Sequence, residues 1–234
     1  MINMHKTRDK LAVFDIDGTI FRKNLHFELL EELSYMRIFS KKVRRELIKW
    51  YGFWLNNEGT YEAYRDRLVK LYKENIKNCK ETDVIMAAKK VADFNAKRLY
   101  NYTRKMIEEL HKTHVMIVIS GSPIEIVKKY AELFHFDAFY GTVYEVDKNG
   151  IYTGEELFCP VQDKGLVVKQ FMVEQNLTLH GSIGIGDTES DGKFLKLMEQ
   201  PIAFNPDSKL KKIAEKNKWK IVVEKKDVIY EFYR

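Results

Sequence analysis

Long apolar runs, a cysteine-rich pattern and low-complexity tracts are all missing from this sequence of 234 residues. No apolar stretch approaches the roughly 18 residues that a membrane-spanning helix requires. Residues 1–10 are too polar for the apolar part of a signal peptide. The chain has two cysteines, Cys79 and Cys159, which are too few for a disulfide framework, and their spacing does not suit a metal site. These absences predict a cytoplasmic protein with free thiols and no transmembrane segment.

Charge of one sign is only slightly in excess. The 40 lysine and arginine residues outnumber the 34 acidic residues, which gives a net charge of +6. The lysines are scattered over helical stretches, so solvated helix faces account for most of them. We therefore expect no nucleic-acid partner. The 45% of apolar residues suffices for one core of good size and a small second domain, and the sequence does not indicate an oligomeric state.

Residues 11–20 (LAVFDIDGTI) are the segment around which the rest of the chain is organised. An apolar run, typical of a buried strand, stops there at two carboxylates and a glycine. Asp15 and Asp17 are separated by one residue, so on an extended chain both side chains lie on the same face. Gly18 allows the backbone to turn, and the hydroxyl of Thr19 can orient a carboxylate oxygen. The alternative to a reactive loop at the end of a buried strand is an Asx turn after an edge strand.

Three further motifs follow in the order IVISGS (residues 117–122), DKG (residues 163–165) and GIGDTESD (residues 184–191). With the first segment, and at predicted strand ends and helix starts, they resemble the four motifs of the haloacid dehalogenase-like phosphohydrolases. The resemblance extends from about residue 11 to residue 223, apart from one long insertion. It implies a Rossmann-like α/β domain whose site lies at the carboxyl ends of parallel strands.

A helical insertion separates the first motif from the second. After Thr19 the apolar residues recur at helical spacing for about a hundred residues, and Thr60 can cap a helix over residues 61–72. A long last helix is predicted over residues 81–112. In the family that the motifs resemble, a helical cap is inserted at this place. We therefore predict a cap domain over residues 21–95 and a core domain formed by residues 1–20 and 96–234.

From Val115 onwards, apolar strands alternate with amphipathic helices. Strands are predicted at residues 115–119, 182–186, 201–204 and 220–223, helices at 123–134, 189–198 and 207–217, and a hairpin around 147–150. This alternation favours a parallel sheet with helices on both faces. We predict an α/β fold with a Rossmann-like parallel sheet and an inserted all-helical cap domain. The tail, residues 224–234, is aromatic and charged and follows neither pattern.

The two aspartates of the first motif suit a two-step phosphoryl transfer. A carboxylate that attacks phosphorus forms an aspartyl-phosphate and divides one difficult displacement into two easier ones. We assign this role to Asp15, against the alternative of a turn residue. Asp17 lies two residues on, where it can protonate the leaving oxygen and then take a proton from water. An aspartate has an ordinary pKa of about 3.9, so this role requires an environment that raises the pKa of Asp17.

Magnesium is the cofactor that this chemistry implies. Attack of a carboxylate on a phosphate dianion brings like charges together, and Mg²⁺ neutralises them with oxygen ligands and few protein groups. By resemblance to the family, the side chains of Asp15 and Asp187 and the main-chain carbonyl of Asp17 bind the cation. Asp191 binds it directly or supports a residue that does. The alternative for Asp191 is an acid that the helix dipole stabilises at a helix N-terminus.

Phosphate binding is predicted at the second and third motifs. Ser120 and the amides of Gly121 and Ser122 lie between a strand end and a helix N-terminus, where anions are favoured. An N-cap serine is the alternative. Lys164 begins a predicted helix, where the helix dipole disfavours a cation. A lysine at an unfavourable position suggests a function there, and we predict that it pairs with Asp15 and with phosphoryl oxygens. An exposed lysine is the alternative. Thr19 is a further phosphate-binding candidate.

The position of the cap and the run FNPD at residues 204–207 resemble the phosphoserine phosphatase-like branch of the family. Arg65 and Glu28 are the candidate substrate contacts of the cap. We predict a magnesium-dependent phosphatase that hydrolyses a small phosphate monoester through an aspartyl-phosphate. The aromatic and basic cap leaves open a lysophospholipid or a phospholipid head group as substrate. A phosphotransferase and a non-catalytic binding protein that retains the fold are further alternatives.

Overall fold

Residues 8–232 are described in this computed structural model, and they form one sheet of eight strands covered by helices. The strands are β1 (Lys10–Phe14), β2 (His114–Pro123), β3 (Ala138–Val146), β4 (Tyr152–Phe158), β5 (Ile183–Gly186), β6 (Gln200–Phe204), β7 (Lys220–Lys225) and β8 (Val228–Phe232). The helices are α1 (Leu25–Tyr35), α2 (Lys41–Leu55), α3 (Tyr61–Ile76), α4 (Glu81–Asn95), α5 (Asn101–Leu110), α6 (Ile124–Leu133), α7 (Lys164–Gln175), α8 (Gly192–Leu195) and α9 (Ser208–Asn217). Within the described residues, no helix has the length and apolar character needed to cross a bilayer.

Strand β1 lies in the middle of the sheet. The strand order is β4-β3-β2-β1-β5-β6-β7-β8, and the strands from β3 to β7 in this order are all parallel. The predicted Rossmann-like parallel sheet is therefore confirmed. The edge strands β4 and β8 are antiparallel, because each follows its neighbour through a tight turn and not through a crossover helix. The end of β7 and strand β8 together account for most of the tail that followed no pattern.

The two faces of β1 are both buried, but in different hydrophobic clusters. Ala12 and Phe14 belong to the cluster that includes residues of α1, α3, α4 and α6. Leu11 and Val13 point to the other face and belong to the cluster that includes residues of α7, α8 and α9. Alternation along the strand thus places helices against both faces, as a central parallel strand requires.

Helices α1 to α4 lie between β1 and β2 in the sequence, and side-chain caps start two of them. The side chain of Asn24 accepts a hydrogen bond from the amide of Phe27 at the start of α1. Thr60 caps α3 as predicted, because its hydroxyl accepts a hydrogen bond from the amide of Ala63 at 3.1 Å. Helix α3 is longer than the expected 61–72 and continues to Ile76.

The prediction of one helix over residues 81–112 is wrong at its centre, where α4 ends and α5 has not yet begun. The chain between them pairs with the segment that follows the first motif. The amide of Arg22 donates to the carbonyl of Arg98 at 3.1 Å, and the amide of Tyr100 donates to the carbonyl of Ile20 at 3.0 Å. These bonds join parts of the chain that are far apart, so helical periodicity gives no sign of them.

The connection between α3 and α4 is bonded to the β3–β4 hairpin. The amide of Asn78 donates to the carbonyl of Tyr152, and the amide of Tyr152 donates to the carbonyl of Cys79, both at 2.9 Å. The amide of Glu81 donates to the carbonyl of Gly150 at the same distance. The inserted helices are therefore attached to the sheet at this hairpin as well as through the hydrophobic cluster that they share with β1.

The helix predicted over residues 189–198 is present only in part. It begins as a 3-10 turn, Glu189–Asp191, and continues as the short helix α8. Thr188 and Asp191 form a capping box at its start. The short helix buries Phe194 and Leu195 completely, so its apolar residues act as an anchor for the loop that follows β5.

Candidate active site

The four motif segments meet at one edge of the sheet. Strands β1, β2 and β5 are parallel neighbours, so their carboxyl ends lie side by side. Asp15 follows β1 directly, and its amide donates to the carbonyl of Ile185 in β5 at 3.0 Å. Ser120 lies in the last part of β2, and Asp187 follows β5. Parallel pairing thus brings together side chains that are far apart in the sequence.

Lys164 is the buried centre of the site. Its side chain is 2% exposed, and its Nζ lies 2.6 Å from Asp15 Oδ1 and 2.6 Å from Asp191 Oδ1. It is the first residue of α7, whose N-cap Asp163 accepts a hydrogen bond from the amide of Leu166. A cation is unfavourable at a helix N-terminus, and the two carboxylates compensate for this placement.

Both carboxylate oxygens of Asp191 have partners. Oδ1 accepts the hydrogen bond from Lys164. Oδ2 accepts hydrogen bonds from the amides of Asp187 and Thr188 at 3.1 and 2.9 Å, and from the hydroxyl of Thr188 at 3.0 Å. Asp191 is completely buried. It therefore holds the loop that carries Asp187 in place against Lys164.

Gly18 permits the close approach of the first motif to Asp187. Its φ of +85° lies in the left-handed region, which residues with a Cβ rarely adopt. A Cβ at this position would lie only 2.1 Å from Asp187 Oδ2. Any larger residue would have to displace the carboxylate of Asp187 or the turn itself.

Asp17 is held by hydrogen bonds from two directions. Oδ2 accepts hydrogen bonds from the hydroxyls of Ser120 and Ser122, both at 2.8 Å. Oδ1 accepts a hydrogen bond from the amide of Leu25, the first residue of α1. The side chain of Asp17 thus links the second motif to the start of the inserted helices.

The carboxylates of the site are difficult to ionise together. Burial raises the pKa of Asp15 to about 7, although the nearby charge of Lys164 opposes the shift. Burial and the charge of Asp15 raise the pKa of Asp187 well above its ordinary value. Burial also raises the pKa of Asp17, against the hydrogen bonds that it accepts. Burial alone would lower the pKa of Lys164, but the charges of Asp15 and Asp191 raise it overall.

A divalent cation fits this arrangement. Ligand atoms of Asp15, Asp187 and Asp191 all lie within 4.8 Å of one another. Asp15 Oδ2 and Asp187 Oδ1 are buried and have no hydrogen-bond partner among residues 8–232. These three carboxylates face one ammonium group, Lys164, so negative charge is in excess. Hard cations prefer carboxylate oxygens, and one bound here would satisfy both unpartnered oxygens.

A cavity of about 500 Å³ opens over Asp15, Asp17 and Lys164. Gly121 from the second motif and Arg65 from α3 both line it. It is bounded by the inserted helices on one side and by β3, β4 and the segment that follows β4 on the other. Five of its lining residues are Tyr61, Ser122, Thr142, Cys159 and Val161. The cavity has the size of a pocket for a small organic ligand.

Two predicted site residues lie elsewhere. Glu28 lines a second cavity of about 510 Å³, and its carboxylate pairs with Lys23 at 2.7 Å. Asp187 lines both cavities, so the two spaces adjoin at the carboxylate cluster. Thr19 is completely buried, and its hydroxyl has no partner among the described residues. Its carbonyl accepts a hydrogen bond from Thr103 at 3.0 Å, so the structure places it beneath the loop rather than on the wall of either cavity.

Sequence reasoning missed one residue of this site and one contact of another. The sequence predicts an anion contact only for the amide of Ser122, and that amide donates to Ser120 Oγ at 3.0 Å. The hydroxyl of Ser122 donates to Asp17, and the spacing of two between Ser120 and Ser122 on extended chain could have indicated that both side chains point the same way. Tyr61 lines both cavities from the start of α3. No local signal distinguishes Tyr61 from the other aromatic residues of the helices.

Comparison with known proteins agrees with this geometry. A family model described as haloacid dehalogenase-like hydrolase matches residues 12–196. A histidinol-phosphatase of Neisseria meningitidis serogroup C (strain 8013) is 23% identical over 228 residues, which cover 91% of this chain and 97% of that protein.

Two solved structures share the fold. A Bordetella pertussis Tohama I protein of unknown function has a TM-score of 0.72 and 19% identity, covering 92% of this chain and 98% of that one. A phosphoserine phosphatase that carries a phospho-aspartyl intermediate analogue has a TM-score of 0.62 and 23% identity, covering 94% and 95% of the two chains. The chain therefore belongs to the haloacid dehalogenase-like hydrolases, and the enzyme class predicted from its motifs, a phosphoric monoester hydrolase, is confirmed.

Proposed function

We propose that this chain is a magnesium-dependent phosphatase that hydrolyses a small phosphate monoester through an aspartyl-phosphate on Asp15. The observation that carries the proposal is the contrast between the two oxygens of Asp15. Oδ1 is held by Lys164 at 2.6 Å, whereas Oδ2 is buried without a partner in the described part of the chain. One oxygen is therefore fixed by a cation, and the carboxylate borders the cavity that would receive a phosphate ester.

In the first step, a carboxylate oxygen of Asp15 attacks phosphorus, and the bond between phosphorus and the ester oxygen breaks. Asp17 lines the same cavity, and burial raises the pKa of its carboxyl group, which favours a proton there. That proton passes to the ester oxygen, so the leaving group departs as a neutral alcohol. The hydrogen bonds from Ser120 and Ser122 orient Asp17 for this transfer.

In the second step, water attacks the phosphorus of the aspartyl-phosphate. Asp17, now ionised, takes a proton from that water, and the bond between phosphorus and Asp15 breaks. Inorganic phosphate leaves, and both aspartates regain their starting protonation states. Dividing the displacement in this way lets one carboxylate act as nucleophile and the other as acid and then base.

Positive charge must offset the charge of the phosphoryl group throughout. Lys164 supplies part of it beside Asp15, and the amide of Gly121 is a candidate to hold a phosphoryl oxygen, whereas the amide of Ser122 already donates to Ser120 Oγ. A magnesium ion held by Asp15 and Asp187 would supply the rest by polarising phosphoryl oxygens. Both oxygens of Asp191 already have partners, so we assign it to positioning Lys164 and the loop of Asp187.

Residues 21–95 form the proposed cap domain, and residues 1–20 and 96–234 form the proposed core domain. Helices α1 and α3 of the insertion line the cavity over the carboxylate cluster, and Arg65 and Tyr61 are among the residues that α3 contributes. We propose that the core residues perform the chemistry and that the cap selects the ester. The names of the similar proteins mention histidinol-phosphatase and phosphoserine phosphatase, which makes both of these esters candidates for a first screen.

The test is a burst experiment with 4-nitrophenyl phosphate, whose leaving group departs without an added proton. Asp17→Asn should spare the first step more than the second, so the phosphorylated protein should accumulate with a burst of 4-nitrophenol. Its added phosphoryl mass should map to Asp15. Asp15→Asn should show neither burst nor label, while Asp93→Asn, at an exposed aspartate of α4, should behave as the unchanged protein.

Three results would contradict the proposal. Substantial steady turnover by Asp15→Ala would show that Asp15 is not the nucleophile. Full turnover in excess chelator would show that the reaction does not require a magnesium ion. A label on Ser120 in place of Asp15 would keep a covalent step but assign it to a different nucleophile, and the mechanism above would then be wrong.

A further inference from the structure

His26 and Tyr144 form a further part of the wall of the cavity over Asp15 and Asp17. His26 is the second residue of α1, and Tyr144 lies in β3, so the wall joins the inserted helices to the sheet. Leu68 is one of the apolar side chains that line the cavity from α3. A molecule bound at Asp15 and extending along the cavity can thus contact apolar side chains as well as this wall.

The wall carries two polar atoms that no other group satisfies. The Nε2 of His26 and the hydroxyl of Tyr144 are buried, and neither has a hydrogen-bond partner among residues 8–232. A buried polar group without a partner gives up its hydration with no hydrogen bond in return, and such groups are rare in folded proteins. Two of them on one cavity wall need an explanation beyond folding, and recognition of a ligand group is one.

Both groups are uncharged. Burial lowers the pKa of the His26 imidazole to about 3, so the ring is neutral at physiological pH. Burial also raises the pKa of the Tyr144 hydroxyl, which therefore keeps its proton. A neutral imidazole and a phenol each contain a donor and an acceptor. Such a wall suits a neutral polar group, because a charged group would lose its hydration there without an opposite charge beside it.

The basic side chains that α3 contributes to the cavity are more exposed than this wall. Arg65 is 39% exposed, and Lys73 is 51% exposed and lies 3.9 Å from Glu156. These cations are still in contact with solvent, which screens their effect on a bound molecule. Besides the carboxylate cluster and Lys164, the cavity therefore offers exposed charges on α3 and buried neutral hydrogen-bonding groups at the wall.

We propose that His26 and Tyr144 recognise a neutral hydrogen-bonding group, such as a hydroxyl, on the alcohol part of the phosphate ester. This inference rests on the proposed function. It identifies the preferred substrate class as the phosphate monoester of an alcohol that carries a further hydroxyl group. The phosphoryl group lies at Asp15, an aliphatic segment passes Leu68, and the distal hydroxyl meets the two neutral side chains.

Tyr72 provides a matched control for Tyr144. Its ring lies 5.5 Å from the ring of Tyr144, it is completely buried, and its hydroxyl also lacks a partner among the described residues. Unlike Tyr144, it does not line the described part of the cavity. Replacing either tyrosine by phenylalanine removes one unpartnered hydroxyl, so the two changes should have similar effects on folding and different effects on recognition.

The kinetic test compares ω-hydroxyalkyl phosphates with n-alkyl phosphates that have the same number of heavy atoms. The unchanged enzyme should prefer the hydroxylated member of the pair at one or more chain lengths. Tyr144→Phe should reduce kcat/KM for that member about 2- to 10-fold, the value of one neutral hydrogen bond. Tyr72→Phe should leave both the preference and the activity on 4-nitrophenyl phosphate unchanged.

A binding test separates this inference from the proposed function. The affinity of the unchanged protein for ω-hydroxyalkyl phosphonates and for n-alkyl phosphonates, which cannot be hydrolysed, is measured by calorimetry. If no ester is hydrolysed, the proposed function fails, yet a binding preference that Tyr144→Phe removes would still support the wall as a recognition site. No preference for the hydroxylated phosphonates, including no detectable binding, would overturn the inference. Equal losses in Tyr144→Phe and Tyr72→Phe would also overturn it, because they would indicate a structural role only.

Discussion

Replacing Lys164 by methionine should destabilise this protein strongly, and most of all when no metal is present. The lysine is 2% exposed and makes ion pairs of 2.6 Å with Asp15 and with Asp191. Methionine keeps the apolar stem and approximate volume of the side chain, so it leaves little new cavity. What it removes is the ammonium group. Two carboxylates are then left buried beside a third, Asp187, with no positive charge to offset them.

The size of the effect follows from these contacts. Removing one partner from a buried ion pair costs about 3–5 kcal/mol. For a protein of this size, about 1 kcal/mol shifts the melting temperature by roughly 2–4 °C, so Lys164→Met should lower it by about 6–20 °C. The loss of stability should grow as pH rises from about 6 to about 8. At the higher pH the carboxylates of the variant must ionise, and the buried site disfavours their charged form.

Thermal unfolding in chelator, followed by circular dichroism, measures this loss. Lys169→Met is the matched control, because Lys169 lies on the same helix and is exposed. That control should stay within about 0.5 kcal/mol of the unchanged protein. Excess Mg²⁺ should recover part of the stability of Lys164→Met, since a cation between Asp15 and Asp187 replaces some of the lost charge.

Asp191→Asn provides a second check. In the background of Lys164→Met it should restore part of the stability, because it removes one of the uncompensated charges and keeps an oxygen that can accept hydrogen bonds. A melting temperature for Lys164→Met in chelator that matches the Lys169→Met control near pH 8 would refute the reasoning. It would mean that the buried carboxylates are compensated by something other than Lys164.

Three other predictions concern the turn, the charge and the cap. Gly18→Ala should lower both activity and melting temperature, because the added Cβ would lie 2.1 Å from Asp187 Oδ2. The left-handed backbone conformation at this position would also cost alanine about 1–3 kcal/mol. Unchanged activity of this variant would contradict the prediction. In chelator, stability should fall as pH rises from about 4 to about 7, since folded Asp15 keeps a proton up to a pKa of about 7 whereas the unfolded chain loses it near 3.8. Melting curves that do not change over this range would contradict it, and Mg²⁺ should remove the fall. Arg65→Ala should change the ranking of substrates and spare 4-nitrophenyl phosphate; equal losses on all substrates would show that Arg65 only supports the fold.

Patterns between neighbours in the chain were enough to predict much of this protein. The apolar run before Asp15 identifies the central strand, since a strand buried on both faces has no polar positions to spare. The alternation after Val115 predicts the parallel sheet, and Thr60 predicts the start of α3. Each of these features depends on hydrogen bonds or side chains within a few residues, so the local sequence contains the necessary information.

The antiparallel edges and the break between α4 and α5 depended on distant partners. Strand β8 forms because it pairs with β7 after a tight turn. The segment between α4 and α5 leaves the helix because Arg98 and Tyr100 bond to the chain after the first motif. In both cases hydrogen bonds to another part of the chain outweigh the weak local preference for helix or coil.

The sequence by itself determined which residues are available for the chemistry, and in which order along the chain. Asp15, Asp17, Lys164 and Asp187 are identified by motif and position alone. Only the tertiary structure decided that Lys164 also holds Asp191, and that the polar atoms of His26 and Tyr144 lie on one cavity wall without partners. The physical reason is that ion pairing and burial depend on distance in space, and these side chains become neighbours only when the strands and the inserted helices pack together.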